Sequence, residues 1–231
     1  MQDGVLGATE NAVFVLTALI PNGDQFRCKG LTMEHDQTFQ LVLLAGIALV
    51  LPFALYYRLR SLATGEKLDR RQEGRLILWT LRPIGIVGML SFNAFLIDPS
   101  WMRWSSVPLP VELRWGGVGI GVFAGGLLIW TFHNLGKNLT DTVVTRKAHS
   151  LVTTGPYRWV RHPFYVCVAM SMLANSLATA NWFLLLTSAI ALSLLFIRTR
   201  IEEEKLLARF GDDYRAYMQR TGRFWPRISQ R

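Results

Sequence analysis

The chain has 231 residues, a net charge of +9 and a mean hydropathy of +0.25. Its hydrophobic fraction of 51% is high for a soluble domain, and the apolar residues are bunched into runs, which is typical of an integral membrane protein. Basic residues lie between these runs, so they favour an anionic membrane face over nucleic acid as the partner. Cys28 and Cys167 form neither a zinc motif nor a disulfide framework, and no metal site is predicted.

The N-terminal segment, residues 1–37, contains one short apolar stretch, Ala12–Ile20, which Glu10 precedes. The segment lacks the basic region of a signal peptide, and the stretch is too short to cross a bilayer. We interpret it as an interfacial or partly inserted segment, and its insertion is left open.

Three apolar stretches between residues 38 and 135 have the length of transmembrane helices. They are Thr38–Tyr57, Leu76–Ile97 and Gly116–Leu135, and the second carries Arg82 and Pro83 near its start. In the third, small residues recur at every fourth position, which lets helix backbones approach closely, so we expect this face to pack against a neighbouring helix. The residues in this pattern are Gly117, Gly121 and Gly125.

Two shorter apolar runs follow, Phe164–Ala178 and Phe183–Ile197, with Asn181 between them. Because no long polar loop separates the runs, residues 164–197 are predicted to form a tight helical hairpin. Each run is near the lower limit for crossing about 30 Å of hydrocarbon, and full crossing is left open. The tail from Arg198 is predicted to continue the second hairpin helix through Phe210, with Gly211 as a helix stop and Asp212 or Asp213 as the cap of a short second helix.

Basic residues in the loops predict the orientation. Arginine and lysine are frequent in loops 58–75 and 136–161 and in the C-terminal tail. The only basic residues of loop 98–114 are Arg103 and Arg114. The positive-inside rule places the first two loops and the tail in the cytoplasm. The predicted fold class is therefore all-α: a multi-pass membrane protein with about five transmembrane helices, three spans plus a helical hairpin, and a cytosolic C-terminal helical segment.

Two polar clusters flank the hairpin. The stretch LVTTGPYRWVRHPFYV carries Arg161 and His162 just before its first helix, and Arg198 and Glu202 come just after its second. A hairpin brings its two ends together, so we expect these side chains to lie close to one another. Each has an ordinary interpretation as a headgroup anchor, a helix start or an ion pair four residues apart. Two dense clusters, one before the hairpin and one after it, on the same side of the membrane, nevertheless favour a functional site.

The clusters resemble the motifs of the integral-membrane methyltransferases, a group that includes isoprenylcysteine carboxyl methyltransferase and the phospholipid N-methyltransferases. The pattern is H-x-L-V-T-x-G-x-Y-x-x-x-R-H-P-x-Y, followed after the hairpin by R-x-x-x-E-E-x-x-L-x-x-x-F-G-x-x-Y-x-x-Y. It covers the chain from about Leu135, so 136–231 is interpreted as the catalytic region and 38–135 as the three-helix part. Cys167 stands where many relatives have glycine, which would reshape the substrate crevice.

The resemblance implies S-adenosyl-L-methionine as the methyl donor, bound at the cytosolic face of the bilayer. It implies that Arg161, Arg198 and Glu202 act in catalysis. The residues it implies at the cofactor site are Leu151, Val152, Gly155, Tyr157, His162, Pro163, Tyr165 and Glu203. The membrane setting predicts an apolar or lipid-attached acceptor, and the oligomeric state is left open.

Three alternatives stay open. The first is N-methylation of a lipid amine, and the second is a non-catalytic membrane scaffold. The third, a transporter, is disfavoured because the spans have few buried charges. The acceptor atom also stays open: a carboxylate needs no general base, whereas an amine or a thiol must lose a proton.

Overall fold

The computed structural model describes the backbone of residues 22–62, 75–135 and 151–227 and the side chains of 35–60, 79–135 and 151–227. This part of the chain is helical, with isolated β-bridges and no β-strand. The predicted all-α class is therefore confirmed. The α-helices are α1 (Asn22–Leu62), α2 (Arg75–Ile97), α3 (Val111–Leu135), α4 (Pro163–Ala178) and α5 (Trp182–Arg220). Short 3₁₀ helices span Pro99–Ser105 and Gly155–Arg158.

Four of these helices are long and apolar enough to cross a membrane, in segments His35–Arg60, Trp79–Ile97, Val111–Leu135 and Trp182–Arg220. Helix α4 has 16 residues. It is about 24 Å long, shorter than the hydrocarbon layer of about 30 Å. Large apolar side chains on the outer faces of the long helices are exposed, as at Leu49 and Val122. The multi-pass membrane architecture is confirmed, with α4 as its short member.

The first helix starts earlier than the predicted span. It begins at Asn22 rather than Thr38 and continues to Leu62. No proline lies between these two starts, and each residue added to an existing helix brings one more hydrogen bond, so the helix extends beyond the apolar stretch. The chain divides into two compact units, residues 1–39 and 40–231, and the stretch Ala12–Ile20 lies outside the described residues.

Helices α3 and α4 pack closely along the predicted small-residue face. A Cβ placed on Gly117 would lie 2.9 Å from the carbonyl oxygen of Ala174, and one on Gly121 would lie 3.5 Å from the Cβ of Ala174. Gly125 instead faces Val50 of α1. The expectation of close packing at these glycines is confirmed, and two of the three face the same partner helix because they lie one helical turn apart.

The two hairpin helices are joined by only three residues. Helix α4 ends before Thr179, and Ala180 takes a positive φ of 49°, which turns the chain back. The side chain of Asn181 then caps α5 by accepting a hydrogen bond from the backbone N–H of Leu184 at 3.0 Å. Its Nδ2 donates to Oγ of Ser105 at 2.8 Å, so the 3₁₀ helix after α2 covers the turn.

Helix α5 consists of an apolar part and a charged part. The apolar part ends at Ile197, and the charges from Arg198 onward are too costly to place in hydrocarbon, so we treat this later part as lying outside the membrane. The backbone leaves helical geometry at Gly211, where φ is 53° and ψ is −122°. The predicted helix stop at Gly211 is thus present as a kink between two helical segments.

A crevice of about 200 Å³ lies between α2, α4 and α5. Its walls include Gly88, Phe92, Asn175 and Ala191. Its lining residues belong to the half of the hairpin near the turn, whereas the charged part of α5 follows the other half. Along α5, the distance from the crevice to the carboxylates described below is about 16 Å. The crevice is therefore separate from the candidate site.

Candidate active site

The hairpin brings its two polar ends into direct contact. The hydroxyl of Tyr165 on α4 donates to Oε2 of Glu202 on α5 at 2.8 Å. Arg161 donates from Nε to Oε1 of Glu203 at 2.8 Å, and Nε2 of His162 lies 3.2 Å from the same oxygen. Consecutive residues of a helix point about 100° apart, so Glu202 and Glu203 take different partners. The predicted meeting of the clusters is observed, with Glu203 rather than Glu202 as the partner of Arg161 and His162.

Glu203 is the most densely bonded member of the cluster. Its side chain is 5% exposed, and its second oxygen, Oε2, accepts a hydrogen bond from Arg223. Burial alone would raise the pKa of Glu203, but hydrogen bonds from His162, Arg223 and Arg161 outweigh burial and hold this pKa well below its usual range. The carboxylate is therefore ionised at neutral pH and balanced by cationic partners.

Arg161 is held on two sides. While Nε bonds Glu203, Nη1 donates to the carbonyl oxygens of Met218, at 3.3 Å, and of Thr221. Its side chain is 10% exposed. The guanidinium thus connects the start of α4 with the end of α5, and most of its donors are used inside the protein.

Arg198 lies one helical turn before Glu202 on α5. It is half-buried, and its next neighbour in the chain, Thr199, is fully buried. Residues four apart lie on the same face of a helix, so the turn presents a guanidinium and a carboxylate side by side. Of the three residues predicted to act in catalysis, Arg198 and Glu202 therefore lie on one face of α5. The third, Arg161, enters the cluster from the chain just before α4.

The loop before α4 carries the other predicted cofactor residues. Leu151 and Val152 are half-buried and lie in irregular chain before the second 3₁₀ helix, away from the bonded cluster in sequence. Gly155 has a φ of 59°, and a Cβ there would lie 2.3 Å from the side chain of Asn134, so only glycine fits. Tyr157 follows within the same 3₁₀ helix.

Two of these residues are held by the polar helices. The carbonyl oxygen of Tyr157 accepts a hydrogen bond from the hydroxyl of Tyr217 at 2.6 Å, which ties the loop to the end of α5. Pro163 is buried as the first residue of α4, where the fixed φ of proline suits a helix start. Tyr157 and Pro163 thus lie on either side of Arg161 and His162 in the chain.

Sequence reasoning missed two residues of this site. Tyr214 is 1% exposed, and its hydroxyl has no hydrogen-bond partner among the residues that the structure describes. Burial raises its pKa, and the charge of Glu203 raises it further, so the phenol stays neutral. The second motif contains Tyr214 and Tyr217 three residues apart, and this spacing is the signal that could have identified Tyr214 as a site residue. Arg223 gave no such signal, because nothing in its short tail predicts a contact 20 residues back along the chain.

Across residues 35–60, 79–135 and 151–227, the side chains form no group of three or more histidine, cysteine, aspartate or glutamate residues that could hold a metal ion. The acidic residues of the site bond to arginine, histidine and tyrosine instead. Hydrogen bonding and charge pairing are thus the chemistry that these side chains offer.

Comparison with known proteins places this site in a matched region. The profile of the isoprenylcysteine carboxyl methyltransferase family matches residues 117–209. The cobalt-zinc-cadmium resistance protein CzcN of Cupriavidus metallidurans is 27% identical over 67% of this chain and 65% of its own length. Methanethiol S-methyltransferase of Mycobacterium tuberculosis is 29% identical over 80% of this chain and 62% of its own length. Protein-S-isoprenylcysteine O-methyltransferase of Homo sapiens is 34% identical over 57% of this chain and 54% of its own length.

The chain thus spans between 54% and 65% of the length of these three relatives. The matched region begins in α3 and ends in the charged part of α5, and it contains both ends of the hairpin. Tyr214 and Arg223 lie beyond its C-terminal end.

Proposed function

Because residues 117–209 match the profile of the isoprenylcysteine carboxyl methyltransferase family, we propose that this chain is a membrane methyltransferase of that kind. The proposed donor is S-adenosyl-L-methionine, and the proposed acceptor is apolar or lipid-attached. The observation that carries the proposal is the contact between the two ends of the hairpin, where Tyr165 meets Glu202 and Arg161 meets Glu203. Both contacts lie inside the family match.

The polar groups at this end of the hairpin fit such a donor, which carries a carboxylate, an ammonium group and ribose hydroxyls. Tyr165 uses one oxygen of Glu202, and a carboxylate has about four acceptor positions, so Glu202 can also accept from an ammonium or a hydroxyl. The buried hydroxyl of Tyr214 can donate to an acceptor group of the donor molecule. An orphaned buried hydroxyl is costly unless a bound partner satisfies it, which supports a polar ligand here.

S-adenosyl-L-methionine would supply a methyl group on a sulfonium, whose C–S bond breaks as the acceptor atom bonds the methyl carbon, so that the C–S electron pair stays on sulfur. For such an in-line displacement the protein contributes mainly position and orientation. We assign the orienting role for an acceptor carboxylate to Arg198, whose guanidinium can form paired, charge-assisted hydrogen bonds. Arg161 supports the site from the side, since most of its donors already bond Glu203 and backbone carbonyls.

A thiol acceptor is the second candidate. The methanethiol S-methyltransferase matches 80% of this chain, more than the 57% matched by the human isoprenylcysteine enzyme. A thiol must lose its proton before it attacks, so this reaction requires a base near the donor. His162, paired with the buried carboxylate of Glu203 at 3.2 Å, is the base that the cluster offers.

The proposed orientation places this end of the hairpin in the cytoplasm. Arginines concentrate here in the described residues, among them Arg58, Arg158 and Arg200, whereas Arg103 and Arg114 lie at the other end. This asymmetry supports a cytosolic active site under the positive-inside rule. A polar donor would then approach from the cytosol and an apolar acceptor from the bilayer.

Methyl transfer by the purified protein in lipid nanodiscs tests the proposal. Donor with a labelled methyl group would be offered with an isoprenylated cysteine, a small thiol or phosphatidylethanolamine, and the product identified by mass. We expect label in the first or second acceptor and loss of transfer in Arg198→Ala. The matched control is Arg200→Ala, an exposed arginine two residues further along α5 that should retain activity. Absence of labelled product with every acceptor, or label in phosphatidylethanolamine alone, would contradict the proposal.

A further inference from the structure

The chain beyond α5 returns to the start of α4 as a short strap, residues Thr221–Phe224. The backbone N–H of Arg161 donates to the carbonyl oxygen of Gly222 at 2.8 Å. The N–H of His162 donates to the carbonyl oxygen of Arg223 at 3.1 Å. The strap therefore holds the backbone of the two residues that open the first hairpin helix.

Side chains of the strap reach the same two residues from another direction. Arg223 donates from Nη2 to Oε2 of Glu203, whose other oxygen receives Arg161 and His162. The ring of Phe224 lies 5.8 Å from the ring of His162. The strap thus contacts both the main chain and the side-chain partners of the Arg161–His162 pair.

The carboxylate of Glu203 has both oxygens engaged by protein groups. Oε1 is shared by Arg161 and His162, and Oε2 bonds Arg223, in a side chain that is 5% exposed. A buried charge is stable only when its partners remain in place, because removing one leaves desolvated charge uncompensated. Glu203 is therefore built to hold its neighbours, in contrast to Glu202, which bonds Tyr165 through one oxygen.

The strap also requires a specific backbone. A Cβ on Gly222 would lie 1.7 Å from the carbonyl oxygen of Trp225, so only glycine allows the chain to turn at this point. Thr221 is 2% exposed and donates from Oγ1 to the carbonyl oxygen of Tyr217. The return of the chain is thus part of the folded core of this end of the hairpin rather than a loose terminus.

We propose that the strap is a positioning element of the active site, in which Arg223 fixes Glu203 and Glu203 in turn fixes Arg161 and His162. Glu203 is then a positioning residue and Glu202 the carboxylate that meets the donor. This inference rests on the proposed methyltransferase function and extends it, because Thr221–Phe224 lies outside the family match at 117–209.

The test compares Arg223→Ala and Arg223→Lys with the unsubstituted protein in nanodiscs. We expect Arg223→Ala to lower kcat by about 100-fold while KM for the donor changes less than threefold, since misplacement of a catalytic group by about 1 Å has an effect of this size. Arg223→Lys keeps the charge and should restore part of kcat. Backbone amide exchange at residues 161 and 162 should rise about 10-fold in Arg223→Ala as the strap loosens.

The matched control is Arg215→Ala, which removes another arginine–carboxylate pair. Arg215 bonds Asp212 at 2.8 Å, but both side chains are exposed, at 66% and 92%, so the pair contributes little and its loss should leave kcat and exchange unchanged. A general loss of structure would instead raise exchange throughout α4 and α5.

The inference is overturned if Arg223→Ala keeps the original kcat and the original exchange at residues 161 and 162. It is also overturned if Arg223→Lys shows no recovery over Arg223→Ala. If the unsubstituted protein transfers no methyl group, the proposed function fails. The exchange experiment then still decides whether the strap positions Arg161 and His162.

Discussion

Glu203 shows what a single buried residue contributes at this site. Its carboxylate joins residues from three parts of the chain: Arg161 and His162 before α4, its own helix α5, and Arg223 after it. The exposed pair Arg215–Asp212 has the same chemistry but is surrounded by water, so screening removes most of its contribution to the free energy of folding. Burial is therefore what makes the Glu203 pairs important for structure.

The pKa of Glu203 leads to a prediction on pH and stability. Its folded-state pKa lies well below its unfolded value of about 4.3. The stability it contributes is fully present above pH 4.3 and is lost as the pH falls through the folded pKa. We expect Glu203→Gln to lower the free energy of unfolding by about 3 kcal/mol at pH 7.

Thermal unfolding in detergent at pH 8 to 3 measures this effect. The difference between the two proteins should stay constant from pH 8 to pH 5 and narrow only below about pH 4.3, where the unfolded chain takes up a proton. A difference that disappears already between pH 7 and pH 5 would refute the pairing of Glu203. Glu204→Gln, an exposed neighbour on the same helix, is the matched control.

The hydroxyl of Tyr165 gives a second prediction at this scale. Tyr165→Phe removes the bond to Glu202 without changing the ring, and such a bond to a charged group contributes about 2 kcal/mol. We expect weaker donor binding, by about 10-fold, because Glu202 loses its fixed direction. Calorimetric titration with S-adenosyl-L-methionine measures it, and unchanged affinity would remove Glu202 from the donor site.

At the scale of elements, the close approach of α3 and α4 places the first end of the hairpin. Their contact depends on Gly117, where any side chain would meet the backbone of α4 at Ala174 and Ala178. In a membrane such close packing supplies much of the attraction between helices, because lipid gives little hydrophobic driving force. The position of Arg161 and His162 thus depends on a contact at the other end of α4.

Gly117→Leu should therefore destabilise the protein by about 3 kcal/mol through overpacking. Gly119→Leu is the matched control, because a Cβ there meets nothing within 4 Å and points away from α4. Thermal unfolding and methyl transfer should both fall for the first substitution and not for the second. Equal stability of the two variants would mean that α3 and α4 do not pack through this face.

The hairpin turn depends in the same way on one side chain. Asn181 caps α5 and bonds Ser105, so Asn181→Ala removes the cap and leaves a buried hydroxyl with fewer partners. We expect a loss of about 2 kcal/mol in the free energy of unfolding. The measurement is the unfolding curve of Asn181→Ala, compared with the curve of the exposed-site control Ser106→Ala. Identical curves would argue against the cap.

At the scale of the whole molecule, the arrangement of the helices decides which surfaces face each side of the membrane. Trp225 lies next to the strap and is 82% exposed, whereas Trp104 follows α2 and is 61% exposed at the other end. Trp104→Cys and Trp225→Cys, each with Cys28→Ser, should react with an impermeant thiol reagent from opposite sides. We expect position 225 to react only from the cytosolic side, and labelling of both from one side would reject the orientation.

Much of this architecture is predictable from the sequence because it depends on local pattern. Apolar runs longer than a bilayer predict α2 and α3, the short gap at Asn181 predicts the hairpin, and Gly211 predicts the kink in α5. The early start of α1 at Asn22 was not predictable, because helix can extend past an apolar span without any signal in hydropathy.

The sequence by itself determined that the two ends of a hairpin would carry basic and acidic groups to one side of a membrane. Only the tertiary structure decided which groups pair. The contacts of Glu203 reach 42 residues back to Arg161 and 20 residues forward to Arg223. Such pairing depends on the rotation of α5 about its axis and on the path of the chain after it. Both are set by packing against other helices, which no periodicity along the chain records.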